Sequence, residues 1–183
     1  MTALFIILGI VAILAIFLIA IYNGLVKIKN EVDNAWADID TQLKKRYDLI
    51  PNLVETVKGY ASHESQTFEK VVQARSAAMN AGSIAEQQQA ENMLTGALKS
   101  IFALAENYPD LKANENFLQL QATLTEVEDH IQSARRYYNA AVRELNTKIE
   151  VFPNNMIAGP MGFSKREYFE IEETEKQNVK VSF

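Results

Sequence analysis

An uninterrupted apolar run near the N-terminus is the feature that most constrains this chain. Leu4–Ile21, LFIILGIVAILAIFLIAI, contains no charged side chain, and the first one in the chain is Lys27. As a helix this run would be about 27 Å long, close to the hydrocarbon thickness of a bilayer. Tyr22 follows it, where an interfacial aromatic residue belongs. We therefore predict a single transmembrane helix that anchors the protein through residues 1–26.

A cleaved signal peptide is the alternative interpretation of this run. The run is longer than the usual apolar region of a signal peptide, no Lys or Arg precedes it and no A-x-A cleavage site follows it, which favours the anchor. Basic residues near the ends of the span occur only on its C-terminal side, at Lys27 and Lys29. By the positive-inside rule, we expect an N-out orientation with the bulk of the chain in the cytoplasm.

Composition argues against several classes of function. The 183 residues include 18 Lys and Arg against 23 Asp and Glu, a net charge of −5, whereas a protein that binds nucleic acid needs a basic surface. The chain has no cysteine, so it has no disulfide, thiolate metal site or cysteine nucleophile. The sequence also lacks a nucleophile elbow, a phosphate loop and a metalloprotease motif. We therefore expect no enzymatic activity, catalytic residue, cofactor or nucleic-acid partner.

Residues 27–152 begin with a long apolar stripe of helical period. The stripe continues in phase through Pro51, so we predict a helix that bends at the proline instead of ending there. Gly59 and Ser62 then offer a helix stop and a new N-cap. The positions of the stripe are Val32, Trp36, Ile39, Leu43, Arg46, Ile50, Leu53, Val57 and Tyr60.

Three further helical segments follow this first helix. Ser83 and Glu86 have the spacing of a capping box, and Pro109 marks a later turn. The last and longest helix has Tyr138 on its apolar stripe and extends to Phe152. Four helical patterns joined by short turns predict an all-α fold, an antiparallel four-helix bundle over residues 27–152. Trp36 and Tyr138 are predicted core residues of this bundle, as most residues of such stripes are.

The C-terminal segment, residues 153–183, has a different pattern. It begins with Gly and Pro residues that do not suit a helix, and it continues with the alternating stretches FEIE and VKVSF on either side of TEKQN. Period-two alternation predicts an extended tail, with a short β-hairpin around TEKQN. Because an isolated hairpin is only marginally stable in water, we expect the tail to pack on the bundle or on a second copy of the chain.

Several motifs together resemble the LemA family. They are the apolar span followed by YNGLVKIKNEVDNAWADID, then QLKKRYDLIPNLVETVKGYASHE, NFLQLQATL, ARRYYNAAVRELN, FPNNMIAGPMGF and YFE. They occur in the order expected for that family and cover nearly the whole chain. The resemblance implies a membrane-anchored antiparallel four-helix bundle in a bacterial envelope, which makes the inner membrane the expected location. It implies no established reaction and no catalytic residue.

Arg46 is the one charged residue on the first apolar stripe. A buried guanidinium needs carboxylate partners, and the last helix offers several. Buried in this way, Arg46 would fix how the helices pair. Two alternatives remain open at this point: a surface position stabilised by Asp48, and a ligand or phosphate site. The candidate carboxylates on the last helix are Glu126, Glu128, Asp129 and Glu144.

Three hypotheses of function follow from these features. The first is a non-enzymatic envelope protein, anchored in the lipid bilayer, whose bundle forms homo-oligomers that scaffold or shape the membrane. The second is an adaptor or accessory subunit for another envelope protein, such as a protease or transporter. The third is a carboxylate metal-binding bundle, but neither His63 nor His130 has the Glu three residues earlier that di-iron carboxylate bundles use.

Overall fold

A computed structural model describes residues 1–169, and all regular structure in this part of the chain is helical. No strand occurs in the described part, so the all-α prediction is confirmed for it. Most of the predicted β-hairpin lies outside the described residues. The helices are α1 (Thr2–Lys58), α2 (Ser65–Met79), α3 (Ile84–Ala105), α4 (Pro109–Lys112) and α5 (Glu115–Glu150), and a 3₁₀ turn follows at Asn154–Met156.

The first helix contains both the apolar run and the first apolar stripe. α1 is 57 residues long and includes Pro51, so the predicted passage of the helix through this proline is confirmed. The bend at Pro51 stays a prediction. The N-terminal part of α1 is long and apolar enough to cross a membrane, and none of its most apolar stretch is buried within the protein. Such a helix needs a lipid environment, which indicates membrane anchoring.

The chain divides into two compact units, each of which contains part of α1 and part of α5. Unit 1 consists of Met1–Asp38 and Ala134–Glu167. In the described part of the chain, unit 2 consists of Ile39–Ser133 together with Tyr168 and Phe169. The predicted division at residues 26 and 152 stays a prediction.

In unit 1, α1 and the C-terminal part of α5 bury apolar faces. The faces differ from the predicted stripe at one position: Ala35 is fully buried, whereas Trp36 is only partly buried. Both lie between Val32 and Ile39, and the small alanine occupies the inner position. Tyr138 is buried, as predicted. The buried residues of unit 1 are Leu25, Ile28, Val32 and Ala35 on α1, Arg135, Tyr138, Ala141, Val142 and Leu145 on α5, and Ala158.

In unit 2, four helical segments contact one another. Lys58, near the end of α1, lies 5.9 Å from the ring centre of Phe68, near the start of α2. Phe102 near the end of α3 contacts Phe117 near the start of α5, with ring centres 6.2 Å apart. Each contact joins the end of one helix to the start of another, as in antiparallel neighbours. The buried side chains include Ile39, Leu43, Ile50, Leu53, Val57, Val71, Leu94, Leu98, Ile101, Leu124, Val127 and Ile131.

The helix ends follow the predicted stops, with two corrections. α1 ends at Lys58 and α2 begins at Ser65, so its N-cap is Glu64 instead of Ser62. α5 ends at Glu150, two residues before Phe152, since the chain turns ahead of Pro153. The cap of α3 is confirmed: the amide of Glu86 donates to the Ser83 hydroxyl at 3.2 Å. The Glu86 carboxylate accepts from the Gly82 amide at 2.8 Å, one residue earlier than a standard capping box.

Candidate functional site

Arg46 lies in the interior of unit 2 and contacts two other helices. Its side chain pairs with Glu91 on α3 and, at 2.5 Å, with Glu128 on α5. A longer contact of 3.5 Å joins it to the Thr95 hydroxyl. Arg46 is only 2% exposed, which excludes the surface alternative with Asp48. Of the carboxylates predicted as partners, Glu128 is found, whereas Glu91 was not among them.

Polar side chains of α1 and α3 extend this cluster around Glu91. The Tyr47 hydroxyl donates to the Glu91 carboxylate. The Gln87 amide lies 2.8 Å from the Tyr47 oxygen and 2.8 Å from the same carboxylate. Glu91 is 5% exposed, and its oxygens are held by an arginine, a tyrosine and a glutamine. A buried carboxylate with this many donors avoids the high cost of unpaired burial.

Pro51 creates a further contact in the same region. A proline has no amide hydrogen, so the Tyr47 carbonyl, four residues earlier, lacks its usual helical partner. The Arg75 side chain on α2 donates to this carbonyl at 2.8 Å. The long helix thus continues through Pro51 with its free carbonyl bonded to a neighbouring helix. Together, these side chains form a polar layer that joins four helices: Arg46 and Tyr47 on α1, Arg75 on α2, Gln87, Glu91 and Thr95 on α3, and Glu128 on α5.

Burial shifts the pKa values of Arg46 and Tyr47, the two residues of α1 in this layer. It lowers the pKa of Arg46 from its ordinary value, and the Glu128 carboxylate opposes this change. Burial also raises the pKa of Tyr47, against the opposing influence of Arg46 and Gln87. Tyr47 is therefore neutral at physiological pH and keeps the proton that it donates to Glu91.

The arrangement is closed to an anion. Both terminal nitrogens of Arg46 are paired with carboxylates, and two carboxylates face one guanidinium, so the positive charge of Arg46 is compensated within the layer. A cleft of about 190 Å³ lies beside the layer, lined by Arg46, Phe102, Leu124 and Glu128 among others. Within residues 1–169, no group of three or more His, Asp or Glu side chains is placed to hold a metal ion. The geometry thus favours a structural role for Arg46 over a ligand site.

Trp36 and Tyr138 meet in unit 1, with ring centres 5.4 Å apart. The Tyr138 hydroxyl donates to the Glu167 carbonyl at 2.9 Å, and burial raises the pKa of this tyrosine. Arg166 is held in the same region by a 2.9 Å ion pair with Asp33. Its backbone also exchanges two hydrogen bonds with the Asn146 side chain. Tyr138, one of the two rings predicted as core, thus contributes to docking the C-terminal segment.

Sequence reasoning missed Glu91, although its spacing carried a signal. Glu91 precedes the buried positions Leu94, Leu98, Ile101 and Ala105 at steps of three and four residues, so it lies on the same helix face. A carboxylate on the apolar face of α3 is as unusual as Arg46 on the apolar face of α1. Together, Glu91 and Arg46 predict a buried ion pair. Pro51 indicates that the Tyr47 carbonyl lacks its helical partner. No pattern in the sequence indicates that Arg75 is the side chain that bonds to it.

Over residues 1–169, the fold and the polar layer define an all-α protein with one helix able to span a membrane and with a helical part held by buried ion pairs. The LemA family profile matches residues 35–183, so the chain belongs to the LemA family. Protein LemA of Metamycoplasma hominis is 30% identical over 164 residues, which cover 87% of this chain and 74% of the relative.

Two magnetosome proteins are also similar to this chain. MamQ 2 of Paramagnetospirillum magneticum is 26% identical over 90% of the chain and 70% of its own length. MamQ of Magnetospirillum gryphiswaldense is 24% identical over 81% of the chain and 64% of its own length. None of these names denotes a reaction. The family and these relatives indicate a membrane-associated envelope protein.

Proposed function

We propose that this protein is a non-enzymatic, membrane-anchored envelope protein that self-associates as a scaffold or a membrane-shaping assembly. The observation that carries the proposal is the continuity of α1, which runs from Thr2 to Lys58 without a break. The same helix contains the apolar run and the residues Arg46 and Tyr47 of the polar layer. With no flexible linker after the span, the chain is suited to a structural role in which the membrane restricts orientation.

The helical part is proposed to be an antiparallel four-helix bundle. The end-to-start contacts of α1 with α2 and of α3 with α5 support this topology. In such a bundle, the pairing of Arg46 with Glu91 and Glu128 fixes which helix faces meet, because any other register leaves a buried charge without a partner. A bundle with a single register presents a constant surface, which is what ordered self-association needs.

The proposed location is the bacterial inner membrane, crossed once, with the N-terminus outside and the bulk of the chain in the cytoplasm. The placement of Lys27 and Lys29 directly after the span supports this orientation. A reporter that works on only one side of the membrane, fused after Phe183, tests it. Activity only in the cytoplasm is expected, and activity only outside it would reverse the orientation.

Crosslinking in native membranes tests self-association against the adaptor function. The chain has no cysteine, so a single cysteine placed at the exposed Val72 or Met93 gives a site-specific crosslink, and a cysteine-free chain is the matched control. Adducts of the chain with itself are expected from a scaffold. One dominant adduct with a different envelope protein, without self-adducts, would replace the scaffold by an adaptor.

A further inference from the structure

The segment after α5 exposes apolar side chains that unit 1 does not cover. Residues 151–163, VFPNNMIAGPMGF, contain no charged residue, and we call them the C-terminal loop. Phe152 is 78% exposed and Met156 is 71% exposed. Exposing an aromatic and a thioether side chain to water at adjacent turns is costly, because each loses the benefit of apolar burial.

The loop lies at the end of the apolar run of α1. The ring of Phe163 contacts the ring of Tyr22, with centres 5.7 Å apart and in an edge-to-face arrangement. Tyr22 directly follows Ile21, the last residue of the apolar run. One end of the loop is therefore at the level where α1 leaves the predicted membrane span.

The register of α1 and α5 within unit 1 places the other end of the loop at the same level. Trp36 contacts Tyr138, and Glu150, the last residue of α5, pairs with Lys165, two residues after the Phe163 that contacts Tyr22. Phe152 lies about 14 residues beyond Tyr138, and about 14 residues back along α1 from Trp36 is Tyr22. Because both segments advance by about 1.5 Å per residue along most of this distance, Phe152 and Tyr22 lie at similar depth.

Burial on α1 changes abruptly at this level. The residues from Leu4 to Leu18 are exposed throughout, whereas Leu25 is only 1% exposed and Ile28 is buried one turn later. Protein therefore covers α1 within about 6 Å of the end of the apolar run, at about 1.5 Å per residue. The C-terminal loop, whose Phe163 contacts Tyr22, is part of the first protein layer beyond the span.

The loop is held in a defined shape by its own hydrogen bonds. The Asn154 side chain donates to the Lys148 carbonyl at 2.9 Å, which ties the loop to the last turns of α5. At its far end, Gly162 has a φ of 81°, a conformation that favours glycine. The Phe163 amide then donates to the Ala158 carbonyl at 2.9 Å, and the ring turns toward Tyr22. The exposed apolar side chains are thus presented by a built loop.

We propose that the C-terminal loop inserts Phe152 and Met156 into the interfacial region of the same lipid bilayer that α1 crosses. The bilayer is the occupant because the loop contacts α1 at Tyr22, directly after the exposed apolar run. The loop has no charged side chain that would have to leave water, and an aromatic ring suits the headgroup boundary. Lys148 and Lys165, on either side of the loop, are paired with Glu144 and Glu150, so the charges next to the loop are compensated within the protein. The inference rests on the proposed membrane anchor.

A second contact with the bilayer gives the protein a fixed tilt. A single helix turns and tilts freely within limits set by its length. A loop that enters the interface beside α1 fixes the rotation of α1 about its own axis. It also limits the tilt of the helix. Unit 1 is then oriented by two membrane contacts instead of one.

Site-specific probes in the full-length protein test this inference, and the absence of native cysteines makes single labelling possible. Phe152→Cys and Met156→Cys are each labelled with an environment-sensitive fluorophore and reconstituted into phosphatidylcholine–phosphatidylglycerol vesicles that contain nitroxide-labelled lipid. Leu14→Cys reports the anchor. Tyr137→Cys, at an exposed position of unit 1 whose neighbour Glu31 lies well beyond the span, is the matched control for an exposed side chain.

The expected result is quenching by shallow nitroxide lipid at positions 152 and 156 that exceeds quenching at position 137 at least threefold. Quenching at 152 and 156 equal to that at 137, with strong quenching at 14, overturns the loop contact and leaves the anchor intact. A probe at 14 that deep nitroxide lipid does not quench overturns the anchor and the loop contact together. Iodide, a water-soluble quencher, is expected to give the reverse order.

Discussion

Arg46 shows how one charged residue can specify packing. A guanidinium on an apolar helix face is costly unless carboxylates meet it, and here Glu91 and Glu128 approach from two different helices. The neutral Tyr47 and Gln87 supply further donors to Glu91. The value of the group lies in specificity, because apolar side chains in the same positions would give comparable stability without defining one register.

Replacing Arg46 with methionine tests this account at the residue level. Arg46→Met leaves the buried Glu91 carboxylate without its cation, and we expect a loss of about 3–5 kcal/mol in the free energy of unfolding. The double variant Arg46→Met with Glu91→Met removes both charges and should regain a large part of this loss. Chemical unfolding followed by circular dichroism measures both.

Lys29→Met is the matched control, since it breaks the exposed ion pair of Lys29 with Asp33 at 2.9 Å. Its cost should be at most about 1 kcal/mol, because exposed pairs are screened by solvent. An Arg46→Met variant as stable as the Lys29→Met variant would contradict the buried layer.

The ionisation of Tyr47 predicts a dependence of stability on pH. Burial raises the pKa of Tyr47 above its ordinary value of 10.0, so in alkali the unfolded chain loses the tyrosine proton first. The stabilisation is fully present below about pH 10 and is lost as the pH rises through the folded-state pKa. Wild-type stability should therefore fall above about pH 10.

Tyr47→Phe isolates this contribution. Above about pH 10 its stability should fall less steeply than that of the wild type, by up to about 1.4 kcal/mol per pH unit, the linkage value of one proton. Between pH 6 and 8 the two slopes should be the same, which serves as the internal control. If the stabilities of Tyr47→Phe and of the wild type also fall equally steeply with pH above about pH 10, Tyr47 is not buried in the layer.

At the level of elements, α1 and α2 are joined by a contact that Pro51 makes necessary. The proline removes a helical hydrogen bond, and the Arg75 guanidinium takes its place at the Tyr47 carbonyl. In the protein that keeps Pro51, Arg75→Met should lower the free energy of unfolding by about 1–3 kcal/mol, because a charged donor is lost and a carbonyl is left unsatisfied.

A double-mutant cycle with Pro51→Ala tests this pairing. Alanine restores an amide that can bond to the Tyr47 carbonyl within the helix, so Arg75→Met should then cost less, with a coupling of about 0.5–1 kcal/mol. Thermal or urea unfolding of the four proteins gives the coupling. Additive effects would show that Arg75 and the proline act independently.

The helical elements were largely predictable from the sequence, because an apolar stripe of helical period and its caps are local signals. The passage of α1 through Pro51, the stop after Lys58 and the Ser83 cap are examples. The choice between Ala35 and Trp36 was not predictable, since both lie within the buried arc between Val32 and Ile39 and local periodicity does not distinguish them.

The partners in the polar layer were predictable only in part. Glu128 was one of four candidate acids on α5, and no local signal chose among them. Glu91 lies on the buried face of α3 and was detectable by its spacing. The docking of Arg166 on Asp33 and Asn146 depends on how the chain returns after α5, which local periodicity does not encode.

At the scale of the whole molecule, one helix connects the proposed membrane anchor with the packed helices. α1 contains the apolar run, the contact of Tyr22 with the C-terminal loop, and Arg46 of the polar layer. Within α1, no flexible linker separates the apolar run from Arg46. Copies that are oriented alike can meet repeatedly through the same surface, which is the physical basis of the proposed scaffold.

The mass of the intact protein, extracted from membranes in a mild detergent, tests this central claim most directly. We expect a mass that is a defined multiple of 20.6 kDa after correction for bound detergent. Truncation after Phe169 keeps the docked segment through Arg166 and removes residues 170–183, and a smaller assembly is expected from it if the tail is an oligomer contact. A full-length protein that is strictly monomeric, in detergent and in lipid nanodiscs alike, would rule out the proposed self-association.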